Sequence, residues 1–287
     1  MTKGDMYHLS MLQRILQEGY LDENPRPKYS DGTPAHTLSV NHAMQTYDLS
    51  KGECPIETLR PIAWRAAVKE IFWIYQMQSN SLADLHDAGI EYWDEWDIGD
   101  GTIGCRYGAT VRRHNLIGKL ITGLKRDPFG RRHIMSLWQE DDFSDETGGT
   151  TAGLNPCCYE TIWNVRKGKD GELYLDMLMN QRSSDYEVSC AINEIQYNAL
   201  LLMIAQECSF KPGVFTHVLE NIQIYDRHIE QASTILNRTP IECEPRLVLT
   251  NKEAKWGEFT VDDFEMVDYP LKTIKELNPQ LKFDLGI

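Results

Sequence analysis

The residues best equipped for chemistry lie in four places along the chain. Pro156-Cys157-Cys158 sets two thiols at the head of an alternating apolar segment, behind a glycine-rich acidic stretch. A cysteine is a strong nucleophile where nearby positive charge favours its thiolate. In apolar surroundings the same residue is an inert small hydrophobe. Gln181-Arg182-Ser183-Ser184-Asp185 places a guanidinium beside a hydroxyl between two apolar segments, a pairing suited to a phosphate dianion. Arg131-Arg132 follows Asp127-Pro128-Phe129-Gly130. Adjacent strand residues point to opposite faces, so both arginines meet one phosphate only if the strand bends or one reaches across an interface. Surface salt bridging is the alternative. Trp93 and Trp96, followed by Tyr107, supply either core or a wall for a planar heterocycle.

Other chemistries are disfavoured. No Gly-x-Gly-x-x-Gly, phosphate-binding P-loop or Gly-x-Ser-x-Gly occurs. The seven cysteines form no Cys-x-x-Cys pair, and the eight histidines form no His-x-x-x-His pair. A dedicated metal site is therefore not expected. The net charge of −14 opposes broad binding to a nucleic-acid backbone. A small anion needs only a few locally placed arginines. The N-terminus reads as an amphipathic helix, with no signal peptide, and no stretch reads as a membrane helix. Reduced cysteines in a cytoplasmic protein are expected.

These groups need a scaffold. The 287 residues, 41% hydrophobic and 25% charged, suit one domain spanning 1–287. Residues 1–20 suggest a helix with Leu9, Leu12, Ile15 and Leu16 on one side. Residues 21–36 read as a loop and 37–48 as a strand. Pro61–Gln78 is the strongest helix, with proline at its start. Residues 131–138 read as a strand and 140–153 as a solvated acidic loop. Residues 158–167 and 172–181 alternate as antiparallel strands joined at Lys167–Gly171. Residues 190–207 form a second buried helix, and 214–226 and 258–270 suggest further strands. Strands outnumber long helices without alternating with them. The fold class expected is α+β, with a mixed or antiparallel sheet on long buried helices.

Six segments, in order, carry a resemblance: KEIFWIYQ, YWDEWDIGDGTIGCRYG, DPFGRRHIMSLW, LNPCCYETIW, QRSSD running into AINEIQYNALLLMIAQ, and IYDRHIEQ. Together they resemble the thymidylate synthase family over nearly the whole chain. YSDGTPAHTLSV and PCCYETIW resemble a divergent bacterial and phage branch of it. The resemblance implies a homodimer joined through a sheet face. It also implies reductive methylation of dUMP to dTMP, with 5,10-methylenetetrahydrofolate giving both carbon and hydride and no metal taking part. A thiolate adds to uracil C6 because C5 is a poor nucleophile until that addition makes an enolate.

Residue by residue, the resemblance makes Cys157 the nucleophile. Arg182 and Ser183 become phosphate ligands, with Arg182 also lowering the thiol pKa. Arg131 and Arg132 become the pair sent across the dimer to the partner's phosphate. Asn193 reads the uracil edge, and Glu70 organises water for proton transfer. Tyr107 lies beside the nucleophile. Tyr225 and Gln223 stand at the sugar, and Arg26 is the candidate loop arginine for the phosphate. Asp185 meets the pterin, Trp93, Trp96 and Leu154 wall the folate, Ser189 lies near it, and Arg60 faces its glutamate tail. Some positions depart from the family pattern. Cys158 and Gln223 replace histidines, Ser189 replaces a glycine, Ile192 replaces a phenylalanine, and Gly130 replaces a serine. Two further readings stand beside this one: a pyrimidine nucleotide hydroxymethylase, and a non-catalytic nucleotide- or RNA-binding homologue.

Overall fold

Helix α1 (Lys3–Glu18) starts where Thr2 and Asp5 cap each other. The Thr2 hydroxyl accepts the Asp5 N–H at 3.0 Å, and the Asp5 carboxylate accepts the Thr2 N–H at 2.7 Å. Asp5 is buried at no evident cost, because it also accepts the N–H and hydroxyl of Thr58. Leu12 and Ile15 are fully buried, and Leu9 and Leu16 pack at the rim of the same cluster. The computed structural model describes residues 1–143 and 153–286; most of the expected acidic loop, 144–152, lies outside them.

The main sheet joins β1 (Tyr20–Leu21), β2 (Thr37–Asp48), β3 (His133–Ser136), β4 (Cys158–Lys167), β5 (Leu173–Gln181), β6 (Ser184–Asp185) and β7 (Lys211–Tyr225). Its order is β1-β2-β7-β5-β4-β3, with β6 beside β7. Among the described residues, only β5–β7 and β6–β7 are parallel. The sheet is thus mixed, as expected. Gly171 closes the β4–β5 turn at φ 86°, where a side chain would be strained.

Register sorts the two faces. His133, Trp163, Met177, Phe215 and Tyr47 form one cross-strand row, and it is buried. The next row, Ile134, Ile162, Leu178, Thr216 and Thr46, lies on the opposite face. There Ile134 is 51% exposed and Met44, further along β2, is 64% exposed. Alternation with a period of two yields one fully buried face and one half-covered apolar face.

The buried face packs against the long helix α6 (Ala191–Glu207), and α2 (Trp64–Ile71) packs on α6 within the same core. Between them come α3 (Leu82–Asp87), α4 (Gly108–His114) and α5 (Leu116–Arg126). After β7 follow α7 (Ile229–Leu236), the two-stranded sheet of β8 (Arg246–Leu249) and β9 (Phe264–Val267), and α8 (Leu271–Leu277).

Three expectations are corrected. The Pro61 helix begins only at Trp64 and becomes a π-helical turn at Phe72–Gln76, so the proline lies in the lead-in. The strand expected at 258–270 shrinks to Phe264–Val267, because Thr260 and Asp263 form a reciprocal cap that turns the chain. The 131–138 strand shortens to His133–Ser136, leaving both arginines ahead of it. Outside these three, Tyr186–Glu207 contains a window apolar enough to cross a membrane, and 72% of that window is buried within the protein. It is apolar all round because it is a core helix.

Candidate active site

The β4–β5 hairpin sets Cys158 opposite Gln181, so Cys157 and Arg182 face each other just beyond the last paired residues. Three contacts fix the guanidinium. Arg182 Nε donates to Pro156 O at 2.9 Å, and Nη2 donates to Asn155 O at 2.8 Å. Its planar group also lies 5.5 Å from the Trp138 ring. Nη2 is then 3.7 Å from Cys157 Sγ. The Tyr107 hydroxyl accepts the Cys157 N–H at 3.1 Å. Tyr107 itself holds φ 48°, a region few side chains adopt. The following residue is glycine because a Cβ there would lie 2.0 Å from Ser79 O.

Burial pushes the Cys157 thiol above its ordinary range, while the Arg182 guanidinium and the Tyr107 hydroxyl pull it back. Arg182 thus lowers the thiol pKa as expected, but one guanidinium opposes desolvation without overcoming it. Burial drives Cys158 much higher. It is packed in the core, whereas Cys157 is half-exposed. Of the two thiols, only Cys157 combines access with an adjacent cation.

Asn193, in the first turn of α6, accepts from Gln181 Nε2 at 3.1 Å and donates to Gln196 Oε1 at 3.0 Å. Glu70 is buried on α2 and accepts from the Tyr92 hydroxyl. Burial raises its pKa, while Tyr92, Gln196 and Trp93 hold it down. The amide of Gln196 thus links the Asn193 and Glu70 regions.

Trp93 is buried edge-on to Tyr107 at 5.2 Å and to Trp96 at 5.4 Å. Trp96 and Leu154 are partly buried against this core. Burial lifts the Asp185 carboxyl to about 7, although the Val188 N–H holds it down. The Ser189 hydroxyl donates to Asp185 O. Arg60 is 4% exposed, with Nε 3.0 Å from Glu57 and its guanidinium over Phe283. It lies inside the fold, not in a surface basic patch.

Tyr225 is raised by burial first, then by the charges of Asp185 and Cys157, and Arg26 lowers it. The Tyr29 ring, three residues on from the exposed Arg26, lies 6.1 Å from the Tyr225 ring and puts this loop on the Tyr225 side. Gln223 shares a groove of about 530 Å³ with Tyr20, Thr37 and Ser39. A second cavity of about 420 Å³, between α6 and β8, holds none of these residues. Ser183 offers its backbone carbonyl to Gln181 Nε2.

Arg131 and Arg132 stand apart from this group. Ser136 pairs with Glu160 and His133 with Trp163, so the strand runs away from Cys157 towards its own N-terminal end, which Arg131 and Arg132 precede. His133 is already roughly 20 Å of strand from Cys157, beyond the reach of an arginine. Both arginines are exposed.

Sequence reasoning passed over Tyr92, Trp138, Gln181, Glu194, Gln196 and His217. A polar residue on the inward side of an apolar strand, such as His217 in GVFTHVLE, was the available signal.

A family profile described as thymidylate synthase matches residues 6–279. The chain is 47% identical over 289 residues to the thymidylate synthase of Lactococcus lactis subsp. cremoris (strain SK11), covering 100% of both. It is 48% identical over 291 residues to that of Streptococcus pneumoniae (strain 70585), again covering 100% of both. The solved structure of thermostable thymidylate synthase A from Bacillus subtilis superposes with a TM-score of 0.86, at 34% identity and 99% coverage of each chain.

Proposed function

The chain belongs to the thymidylate synthase family, and on that premise we propose that it methylates C5 of dUMP, with 5,10-methylenetetrahydrofolate as cosubstrate. The observation that carries the reading is the half-exposed Cys157 sulfur 3.7 Å from the anchored Arg182 guanidinium.

Cys157 adds as thiolate to uracil C6. The displaced electron pair moves through C5 and C4 to O4, making C5 nucleophilic. Asn193 donates to O4 and accepts from N3–H, so it binds the enolate more strongly than the ground state. Glu70, raised by burial, is suited to exchange protons with water near O4. Loss of the C5 proton and release of the sulfur restore the aromatic ring. Arg182 and Ser183 hold the phosphate, with Arg26 approaching from its loop. Tyr225 and Gln223 offer a hydroxyl and an amide to the sugar.

The folate supplies a one-carbon unit and then a hydride. The chain's residues fit it. Trp93, Trp96 and Leu154 give an apolar wall that keeps water from the methylated carbon. Asp185, held near neutrality by burial, can donate to or accept from a pterin. Ser189 borders this region, and Arg60 retains a buried Nη2 with no hydrogen bond.

We also propose a homodimer through the half-exposed sheet face. Ile134, Ile162 and Leu178 form an apolar row there, and Arg131 and Arg132 cannot reach Cys157 of their own chain. A two-fold partner would receive them at its phosphate, adding positive charge near its thiol.

Incubation with dUMP and 5,10-methylenetetrahydrofolate tests the reaction. The expected products are dTMP and dihydrofolate in equal amounts. Hydroxymethylated nucleotide with tetrahydrofolate would overturn it.

A further inference from the structure

Asn193 can read two different bases. Uracil presents an N3–H donor beside the O4 acceptor, while cytosine presents an N3 acceptor beside an amino donor. An amide in one orientation matches uracil; turned by half a rotation, it matches cytosine. Something must therefore fix which end of Asn193 points where.

A buried chain of hydrogen bonds does so. Ser183 O can only accept, so the Gln181 atom 3.0 Å from it is Nε2. The same Nε2 lies 3.1 Å from Asn193, which must then turn Oδ1 towards it. The other end of Gln181, Oε1, lies 2.8 Å from His217 Nε2, and that ring nitrogen must donate. Glu194 braces the ring from behind: Oε1 is 3.1 Å from His217 Nδ1, and Oε2 accepts the Tyr47 hydroxyl at 3.1 Å. On the far side, Asn193 Nδ2 faces Gln196 Oε1. One lone pair of Oδ1 and one N–H of Nδ2 remain, an acceptor for N3–H and a donor for O4 of uracil.

Cys190, Glu194 and His217 bring ligand-type atoms within 4.8 Å of one another. Both ring nitrogens and both Glu194 oxygens are already hydrogen-bonded, so the cluster is a polar relay and not a cation cage.

We propose that His217 and Glu194 are positioning residues that hold Asn193 in its uracil-reading orientation. Acting through Gln181, they set the preference for a uracil over a cytosine nucleotide. This rests on the reading of Cys157 and Asn193 as a dUMP site.

The test measures dissociation constants of dUMP and dCMP. Wild type is expected to prefer dUMP; a wild type with no such preference would overturn the underlying reading instead. In His217→Leu the preference is expected to fall by at least about tenfold, mainly through weaker dUMP binding. His217→Gln, whose amide can again donate to Gln181, is expected to restore most of it. If an unpaired Glu194 unfolds the single variant, His217→Leu with Glu194→Leu removes both polar groups together. Either folded variant with the wild-type preference overturns the proposal. Nitrogen NMR of histidine-labelled wild type reads the relay directly: a protonated His217 Nε2 is expected, and a bare Nε2 overturns the proposal without any variant.

Discussion

Cys157 and Cys158 are neighbours with opposite surroundings, and that contrast predicts opposite outcomes. Cys157→Ala should abolish turnover and leave dUMP affinity within a few-fold of wild type, measured by calorimetry. Cys158→Ala should keep turnover and cost about 1 kcal/mol of stability for the lost buried atom. The reverse pattern would assign the chemistry to the wrong sulfur. Asp185 offers a test through pH. Its carboxyl titrates near 7 in the fold, against 3.8 ordinarily, because burial disfavours the charge. The native state therefore keeps a proton that the unfolded chain releases between those values. This contribution is full at acid pH and is lost as pH rises through about 7. Asp185→Asn should consequently stabilise the protein near pH 8 relative to wild type, by on the order of 1–4 kcal/mol, and much less near pH 4. Equal melting shifts at both pH values would contradict that environment.

At the scale of elements, the site depends on two short devices. The β4–β5 hairpin aligns sulfur and guanidinium, and the strained Tyr107 entry to α4 presents the phenol. Gly108→Ala should push α4 away from the Ser79 backbone, because the added carbon would lie 2.0 Å from a carbonyl oxygen. The expected cost is about 2 kcal/mol or more, with slower reaction of Cys157, read by thermal melting and thiol labelling. An unchanged melting temperature would show that the close approach is absent. The hairpin was legible in sequence from its alternation and from Gly168 and Gly171. The helix spanning Tyr75 was legible as helix, but its π turn and late start were not, since periodicity reports a face and not a hydrogen-bond register. The 258–270 strand failed because Thr260 and Asp263 compete locally for backbone groups.

At the scale of the molecule, length and alternation indicate a mixed α+β fold, and residue type and company single out Cys157 and Arg182 as candidates. The relay through Gln181, His217 and Glu194 was not. Its members lie far apart in sequence and meet only when β5, β7 and α6 pack. Arg131 and Arg132 illustrate the opposite case: the resemblance assigns them to the site, and the register shows that their own chain cannot deliver them. Ile134→Asp with Ile162→Asp should yield a folded monomer that has lost most activity, seen by sedimentation. A fully active monomer would refute the shared site.

The central claim is a transient sulfur–carbon bond between Cys157 and the pyrimidine. Incubation with 5-fluoro-dUMP and 5,10-methylenetetrahydrofolate, followed by peptide mass spectrometry, tests it most directly. A stable adduct carrying both ligands on Cys157 is predicted, forming faster as pH rises because the thiol lies above its ordinary range. No adduct, or one on any other cysteine, would contradict the account.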